Sequence, residues 1–455
     1  MNYEYYFLGF LICLYAPYFV WAILSFIVLA EDNKKDQTEQ EPTKGWPLVT
    51  VAVPMFNEGD QFVASLDALL SIEYPNLEII VVDDGSTDFS FDVAQKRFGV
   101  LPHDILRTHE TSKYADLQSY HSSDYPTLNI YRQTNQGKAA ALNTALHFAK
   151  GKYFLTLDAD SIPGRFSIKR MVKVLESESN LVGVSGVVRL SNGCTISNGE
   201  IQNVHLSSSW LARFQTLEYL RSFLISRIGM HATGGLIILS GAFSLLRTEE
   251  VRSINGFNEK CIGEDFEICI RLITHGKKHE QRRLGMLSNA NCWTSAPENL
   301  RVLYRQRERW QIGSLETMWT HRKLLFKLKN MRLSWIGMPT FLLFEAFTPV
   351  YELFGIIFVV YMLIHLSFDL NAAFLILGGL MSVNVIASLI AILSETFRPG
   401  MPARFKDIVY LTFISFLEPL LYRPLNAMPR ITGTFKFLFS TKQVWGDMER
   451  SNKSQ

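Results

Sequence analysis

Charge is scarce in this chain: of 455 residues, 19% are Asp, Glu, Lys or Arg while 48% are hydrophobic. Ordinary soluble domains carry about 25% charged residues, so a membrane protein is expected. Cysteine is sparse as well. Cys13, Cys194, Cys261, Cys269 and Cys292 show neither paired metal spacing nor the density of a disulfide scaffold, which excludes a zinc module and a stapled secreted domain and suits a reducing compartment. Repeats and low-complexity tracts are lacking too, apart from a short polar linker from Glu31 to Lys44. The net charge of +2 says little by itself, because a near-balanced total hides local asymmetry; no nucleic-acid partner is expected.

What the chain has instead is concentrated apolar sequence. Phe7 to Leu29 carries no charge, and a dense apolar block runs from about Ile336 to Leu393. Each is long enough to span, since a helix needs about 20 apolar residues to cross the hydrocarbon core. No Lys or Arg precedes Phe7, so the first run lacks the basic start of a signal peptide and reads as a retained helix, with Pro17 as a kink site. Lys34, Lys35 and Lys44 follow it, and Arg398, Arg404 and Lys406 follow the later block. By the positive-inside rule these place the N-terminus outside and the following domain in the cytoplasm. The later block divides into Ile336 to Leu366 and Ala372 to Leu393, separated by Ser367 to Asn371, and a Pro-interrupted stretch follows from about Ile408 to Phe439. Glu345, Glu352 and Glu418 are expensive in lipid and should face a protein interior or a polar path, unless Glu345 and Glu418 sit near span ends and snorkel or are protonated. Leu206 to Met230 and Trp310 to Arg332 have the apolar spacing of amphipathic helices at a membrane surface.

Between these flanks the pattern changes. Leu48 to Pro54 reads as a buried strand, Gly59 to Leu70 as a helix, and Leu77 to Val82 as a second strand closed by Asp83-Asp84-Gly85-Ser86-Thr87-Asp88. Leu128 to Tyr131 is a further strand, Lys138 to Ala149 a helix, and Tyr153 to Leu157 a strand that ends on Asp158. This alternation predicts an α/β domain with a mostly parallel sheet, in which ligands sit beyond the carboxyl ends of strands. Leu101 to Pro126 is a long polar excursion with no assigned role.

The acidic groups fall at those strand ends. Asp158 and Asp160, two apart after a buried strand, suit Mg²⁺ or Mn²⁺, hard ions that complete their shell with phosphate oxygens. Asn57, Glu58, Asp83 and Asp84 form a polar rim able to accept hydrogen bonds from a uracil or ribose, and Asp84, Ser86 and Thr87 equally suit turn capping. Lys138, after Gly137 at a helix start, is placed to meet a phosphate or to lie on the helix surface. Asp265 in Gly263-Glu264-Asp265 is the candidate general base, with Glu264 and Glu267 as alternatives. Gln306, Arg309 and Trp310 combine hydrogen-bond donors with a ring that stacks on sugars.

Taken in order, Asp83-Asp84, Asp158-Ala159-Asp160, Gly263-Glu264-Asp265 and Gln306-Arg307-Glu308-Arg309-Trp310 resemble the membrane-bound processive family 2 glycosyltransferases. That group includes cellulose, hyaluronan and poly-β-1,6-N-acetylglucosamine synthases. The likeness runs from about Val49 to Trp310. It implies an A-type glycosyltransferase fold and an inverting transfer that gives β linkages. It also implies Asp83 and Asp84 at the uridine diphosphate, Asp158 and Asp160 at the diphosphate and its metal, and Asp265 as base. Gln306, Arg309 and Trp310 would line the acceptor site, with Ser240 to Ser244 near the acceptor sugar.

The chain departs from the pattern in having Gly263 where many members have Thr, a single helix before the catalytic domain, and a tail too short for a cyclic-dinucleotide-binding domain. The layout is most similar to the poly-N-acetylglucosamine synthases, which makes UDP-N-acetylglucosamine the first donor to consider. The expected organisation is a membrane helix at 1–30, a linker at 31–47, the catalytic domain at 48–310 and an amphipathic interface helix at 311–335. A membrane region at 336–440 and a cytoplasmic tail at 441–455 complete it. The expected location is the plasma membrane, multi-pass, with the catalytic domain in the cytoplasm. Expected partners are a UDP-sugar, a growing glycan or lipid acceptor, membrane lipids and an accessory subunit. A non-processive enzyme acting on a lipid acceptor shares the donor site; a transporter or receptor with a degenerate nucleotide-binding domain is the rival from another class.

Overall fold

A computed structural model describes residues 3–36, 45–103, 116–197, 199–276, 281–351, 353–354, 357, 370–396, 398 and 404–439. The expected tail at 441–455, the middle of the Leu101 to Pro126 excursion and the break at Ser367 to Asp369 lie outside these residues. The chain forms two units. One is an α/β unit of Thr38–Asn203 with Ile237–Ser295; the other is helical, of Met1–Gln37, Val204–Leu236 and Ala296–Gln455. The expected catalytic span 48–310 is therefore divided, with 204–236 and 296–310 packing among the helices.

The first helix, α1 (Tyr3–Asp36), contains Pro17 and belongs to the helical unit. The α/β unit then opens as the apolar runs predict: β1 (Val49–Met55), α2 (Gln61–Leu70), β2 (Leu77–Asp83) and α3 (Ser90–Arg97). The polar excursion supplies an edge strand, β3 (Val100–Pro102), and its neighbour β4 (Gln118–Ser122), ahead of β5 (Leu128–Arg132), α4 (Lys138–Phe148) and β6 (Tyr153–Leu157). Next come β7 (Ile162–Pro163), α5 (Ser167–Ser177), β8 (Leu181–Leu190) and a separate hairpin, β9 (Thr195–Ser197) with β10 (Glu200–Asn203).

Ten strands form one mixed sheet in the order β3-β4-β5-β2-β1-β6-β11-β8-β12-β7, where β11 is Phe243–Arg247 and β12 is Arg283–Thr294. Neighbours β5, β2, β1 and β6 are parallel; β11 runs against β6 and β8, and β12 runs with β8. Counting directions outward from β1, only β4, β7 and β11 oppose it. The parallel centre is built from β-branched runs buried on both faces, the composition such sheets need. Val49, Val51, Ile79, Leu128, Ile130 and Leu155 have no exposed surface, each stabilising the fold by about 1.5–3 kcal/mol. The register Met55↔Asp83↔Arg132 aligns the carboxyl ends of β1, β2 and β5. Helices α8 (Thr248–Ser253) and α9 (Glu264–Thr274) complete the unit.

In the helical unit, α6 (Trp210–Leu220) continues through a π-helical turn, Arg221–Arg227, into α7 (Ile228–Thr233), which ends at left-handed Gly234. The apolar face expected at a membrane surface is instead buried within the unit: Leu211, Phe214, Leu217 and Leu224 are all covered. Helix α10 (Leu300–Thr320) carries the Gln306 to Trp310 pentad. The interface helix expected at 311–335 is not one helix. It stops at Thr320, and Phe326 (φ 57°) and Asn330 (φ 96°) are left-handed, a conformation that no right-handed helix accommodates.

Two further helices span Leu370–Thr396 and Phe405–Phe439; the second is continuous through Pro419, Pro424 and Pro429. Among the described residues, Phe405–Phe439 is the one helix long and apolar enough to cross a membrane. Glu418 within it is buried and paired with Arg221 at 2.7 Å, as a buried carboxylate requires.

Candidate active site

The site begins with how two loops are stitched together at the carboxyl edge of the sheet. After β1 the chain turns at Asn57 with φ 53°, a conformation that Asn tolerates because its short amide bonds locally. Asn57 Oδ1 accepts the Thr87 N–H at 2.8 Å, and its own N–H donates to Ser86 Oγ at 3.0 Å. The Glu58 and Gly59 N–H groups both donate to Ser90 Oγ.

Asp83 and Asp84 lie beneath that turn. Asp83 is 0% exposed, accepts the Ser86 N–H at 2.9 Å and pairs with Arg132 Nε at 3.0 Å. Asp84 accepts from Gln133 Nε2 at 2.7 Å, from the Gln136 N–H at 3.0 Å and from the Gly137 N–H at 2.8 Å. Burial pushes both carboxyls above the usual range, against the lowering effect of those donors. Turn construction is thus carried mainly by Asp83 through Ser86, whereas Asp84 holds the β5–α4 turn. Gly85, which follows them, has φ +76°, and a Cβ there would lie 2.7 Å from the Asn135 nitrogen, so only glycine fits.

Through Asp84 the sheet fixes the start of α4 and with it Lys138. The Lys138 ammonium sits 2.5 Å from Asp158 Oδ1 and 3.7 Å from Glu264 Oε1. Burial opposes its charge, but Asp158, Glu264 and Asp265 outweigh burial and hold its pKa above the usual lysine value. Asp158 follows β6, and its N–H donates to Ala242 O at 3.3 Å. Asp160 accepts from Thr294 Oγ1, at the end of β12, at 3.1 Å. Cys292 nearby is kept a neutral thiol by burial, reinforced by Asp158 and Asp160.

Asp265 enters from the first turn of α9. Its Oδ2 accepts the Gly241 N–H at 3.1 Å and its Oδ1 accepts the Phe266 N–H at 2.8 Å. A Cβ on Gly241 would lie 2.8 Å from Asp265 Oδ2, so the glycine is what lets the carboxylate approach. The alternatives are separated by their surroundings. Glu267 is buried and held by Arg271 Nε at 2.7 and 2.8 Å, and Glu264 is buried against Lys138. Asp265 is the half-exposed carboxylate of the three, and it lines a pocket with Lys138, Thr156, Ser240, Gly241 and Glu264.

Asn57, Glu58, Asp83, Asp84, Lys138, Asp158, Asp160 and Asp265 therefore share the carboxyl edge of one sheet. Mg²⁺ or Mn²⁺ fits the donor set there: Asp158 and Asp160 are half-buried hard oxygen ligands. No group of three or more His, Cys, Asp or Glu converges among the described residues, so the remaining positions would fall to substrate oxygens.

The pentad belongs to the helical unit. Trp310 is 42% exposed, and Gln306 Oε1 is buried without a hydrogen-bond partner among the described residues. Arg307, which the sequence reading assigned no role, is buried and bonds Glu218 through both Nη atoms at 2.9 and 2.8 Å. Glu218 also accepts from Tyr422 Oη at 2.6 Å and Asn426 Nδ2 at 3.3 Å. The Arg307 guanidinium lies 4.5 Å from the centre of the Trp310 ring. Arg309 is half-buried beside it.

A mixed, mostly parallel sheet with acidic turns at its carboxyl edge defines an A-type glycosyltransferase fold. The same fold is seen in the mannosyltransferase PcManGT from Pyrobaculum calidifontis, solved in complex with GDP-Man and Mn²⁺. The two share 19% identity, with a TM-score of 0.52 over 94% of this chain and 97% of that one. A model of glycosyl transferase family 2 matches residues 50–239, and one of glycosyl transferase family group 2 matches residues 153–388, more than half of the chain. The chain belongs to this family and is a family 2 glycosyltransferase. Among similar proteins is the poly-β-1,6-N-acetyl-D-glucosamine synthase of Staphylococcus epidermidis, 24% identical over 91% of this chain and 90% of the relative. The synthase of the same name from Staphylococcus aureus MSSA476 is 26% identical over 63% of this chain and 58% of the relative.

Proposed function

We propose that this transferase is a membrane-spanning processive synthase that takes a sugar from a UDP-sugar, UDP-N-acetylglucosamine first, and extends a β-linked polysaccharide that it extrudes. The names of the similar synthases support a polymer and its N-acetylglucosamine unit. The observation that carries the chemistry is Lys138, whose ammonium lies against Asp158 on one side and Glu264, the neighbour of Asp265, on the other. One cation thus joins the acid that would face the donor diphosphate to the pocket that holds the base.

In this reading Asp265 takes the proton of the acceptor hydroxyl as its oxygen attacks the anomeric carbon. The bond from that carbon to the diphosphate breaks on the opposite face, which inverts the centre. Lys138 leaves Asp158 for the diphosphate oxygens and balances the charge developing there. Asp158 and Asp160 would hold Mg²⁺ or Mn²⁺, which supplies further neutralisation of the leaving group. Asn57, Glu58 and the turn fixed by Asp83 and Asp84 receive the uridine. Gln306, Arg309 and Trp310 line the acceptor side, with Trp310 stacking on a sugar ring. The helical unit forms the membrane part, and a position of the α/β unit on the cytoplasmic side of the plasma membrane is supported by the basic residues after the first and later apolar runs.

The test is UDP release by the purified protein, wild type against Asp265→Asn. Loss of transfer in the variant, with UDP-sugar binding intact by calorimetry, is the expected result. Turnover undiminished by the change would remove Asp265 as the base.

A further inference from the structure

We propose that the connection from Thr320 to Ile336 is a docking surface for anionic phospholipid headgroups. The proposal rests on the membrane reading above. No Asp or Glu occurs between Glu316 and Glu345, while Arg322, Lys323, Lys327, Lys329 and Arg332 all fall there. Where a continuous amphipathic helix would spread such charges around an axis, the left-handed residues Phe326 and Asn330 fold the segment into a knuckle. The Phe326 N–H donates to Ser334 O at 3.2 Å, and the Phe326 ring meets Trp335 edge-on at 5.0 Å. Leu333 and Ser334 are buried and root the knuckle in the helical unit.

Its outer side is apolar at the tip and cationic around it. Leu328 is 78% exposed and stands between Lys327 and Lys329, with Phe326, Met331 and Trp335 also exposed. Lys323, Lys327 and Lys329 make no ion pair among the described residues. A water-facing loop gains nothing from an exposed leucine, methionine and tryptophan interleaved with unpaired cations. A bilayer surface satisfies both sets, because the apolar tips enter the headgroup boundary and the ammonium groups meet lipid phosphates. Zwitterionic lipid satisfies only the first, so the lysines select anionic headgroups, by a factor of about five for each cation engaged.

The test uses the full chain carrying p-benzoylphenylalanine in place of Leu328, in nanodiscs of phosphatidylglycerol and phosphatidylcholine, irradiated and analysed by mass spectrometry for lipid adducts. Phosphatidylglycerol adducts several-fold above that lipid's mole fraction, returning to the mole fraction in the Lys327→Glu/Lys329→Glu variant, are the expected result. Adducts that follow the mole fraction in the unmutated knuckle, or none to lipid at all, would overturn the proposal. UDP release from the same discs is read separately: enriched adducts without turnover would support the docking surface while counting against the synthase reading.

Discussion

Removing Glu218 should reveal how the buried Arg307 cation beside the Trp310 ring is held. The Arg307 guanidinium is 6% exposed and depends on the Glu218 carboxylate for both of its Nη hydrogen bonds. Glu218→Ala therefore leaves a buried charge uncompensated, which costs about 3–5 kcal/mol. It also strips Tyr422 Oη of its acceptor, adding about 1 kcal/mol. Arg307→Ala should cost less, because Glu218 keeps Tyr422 and Asn426 as donors and is more exposed. Since one interaction is lost in both variants, the double variant should fall short of the summed single effects by about 2 kcal/mol. Unfolding of the full chain in mixed micelles, titrated with SDS, measures all three. Effects that add to within about 0.5 kcal/mol, or a milder Glu218→Ala than Arg307→Ala, would refute the reasoning.

Lys138→Met should lower kcat/KM for the donor about 100-fold, since the diphosphate loses the cation proposed to balance its charge; steady-state UDP release checks it. Gly241→Ala drives a Cβ to 2.8 Å from Asp265 Oδ2 and should lower kcat while melting stays near wild type. Gly85→Ala combines a positive φ with a contact at 2.7 Å to backbone and should destabilise the α/β unit by about 1–3 kcal/mol, seen as a lower unfolding midpoint. Burial raises Asp83 and Asp84, so the fold favours their protonated forms. That contribution to stability is complete below the unfolded carboxyl pKa of about 3.9 and is lost as pH rises through the raised folded values. Mild acidification from neutrality should therefore not weaken the unit through this pair, and Asp84→Asn should flatten its part of the pH dependence of unfolding.

The strand ends were legible because short apolar runs stop on acids: Tyr153 to Leu157 followed by Asp158 is read identically from sequence and structure. Lys138 was legible as a helix start after Gly137, but its partners were not, because Glu264 is far from it in sequence and meets it only through the fold. Glu218 carried no signal at all; its importance comes from Arg307, Tyr422 and Asn426, which converge from two other helices. The break of the expected 311–335 helix was hidden because Phe326 and Lys327 have ordinary helical character, and only the left-handed backbone at Phe326 and Asn330 reveals it. The polar excursion hid β3 and β4 because both are short and mostly exposed or half-buried, so they need little apolar sequence.

The most direct measurement of the central claim is the size of the product formed from radiolabelled UDP-N-acetylglucosamine by the purified protein with Mg²⁺ or Mn²⁺. The account predicts long polymer at early times, with little material of intermediate length, and none from Asp265→Asn. A single sugar transferred to lipid, or polymer made only from a different donor, would contradict it.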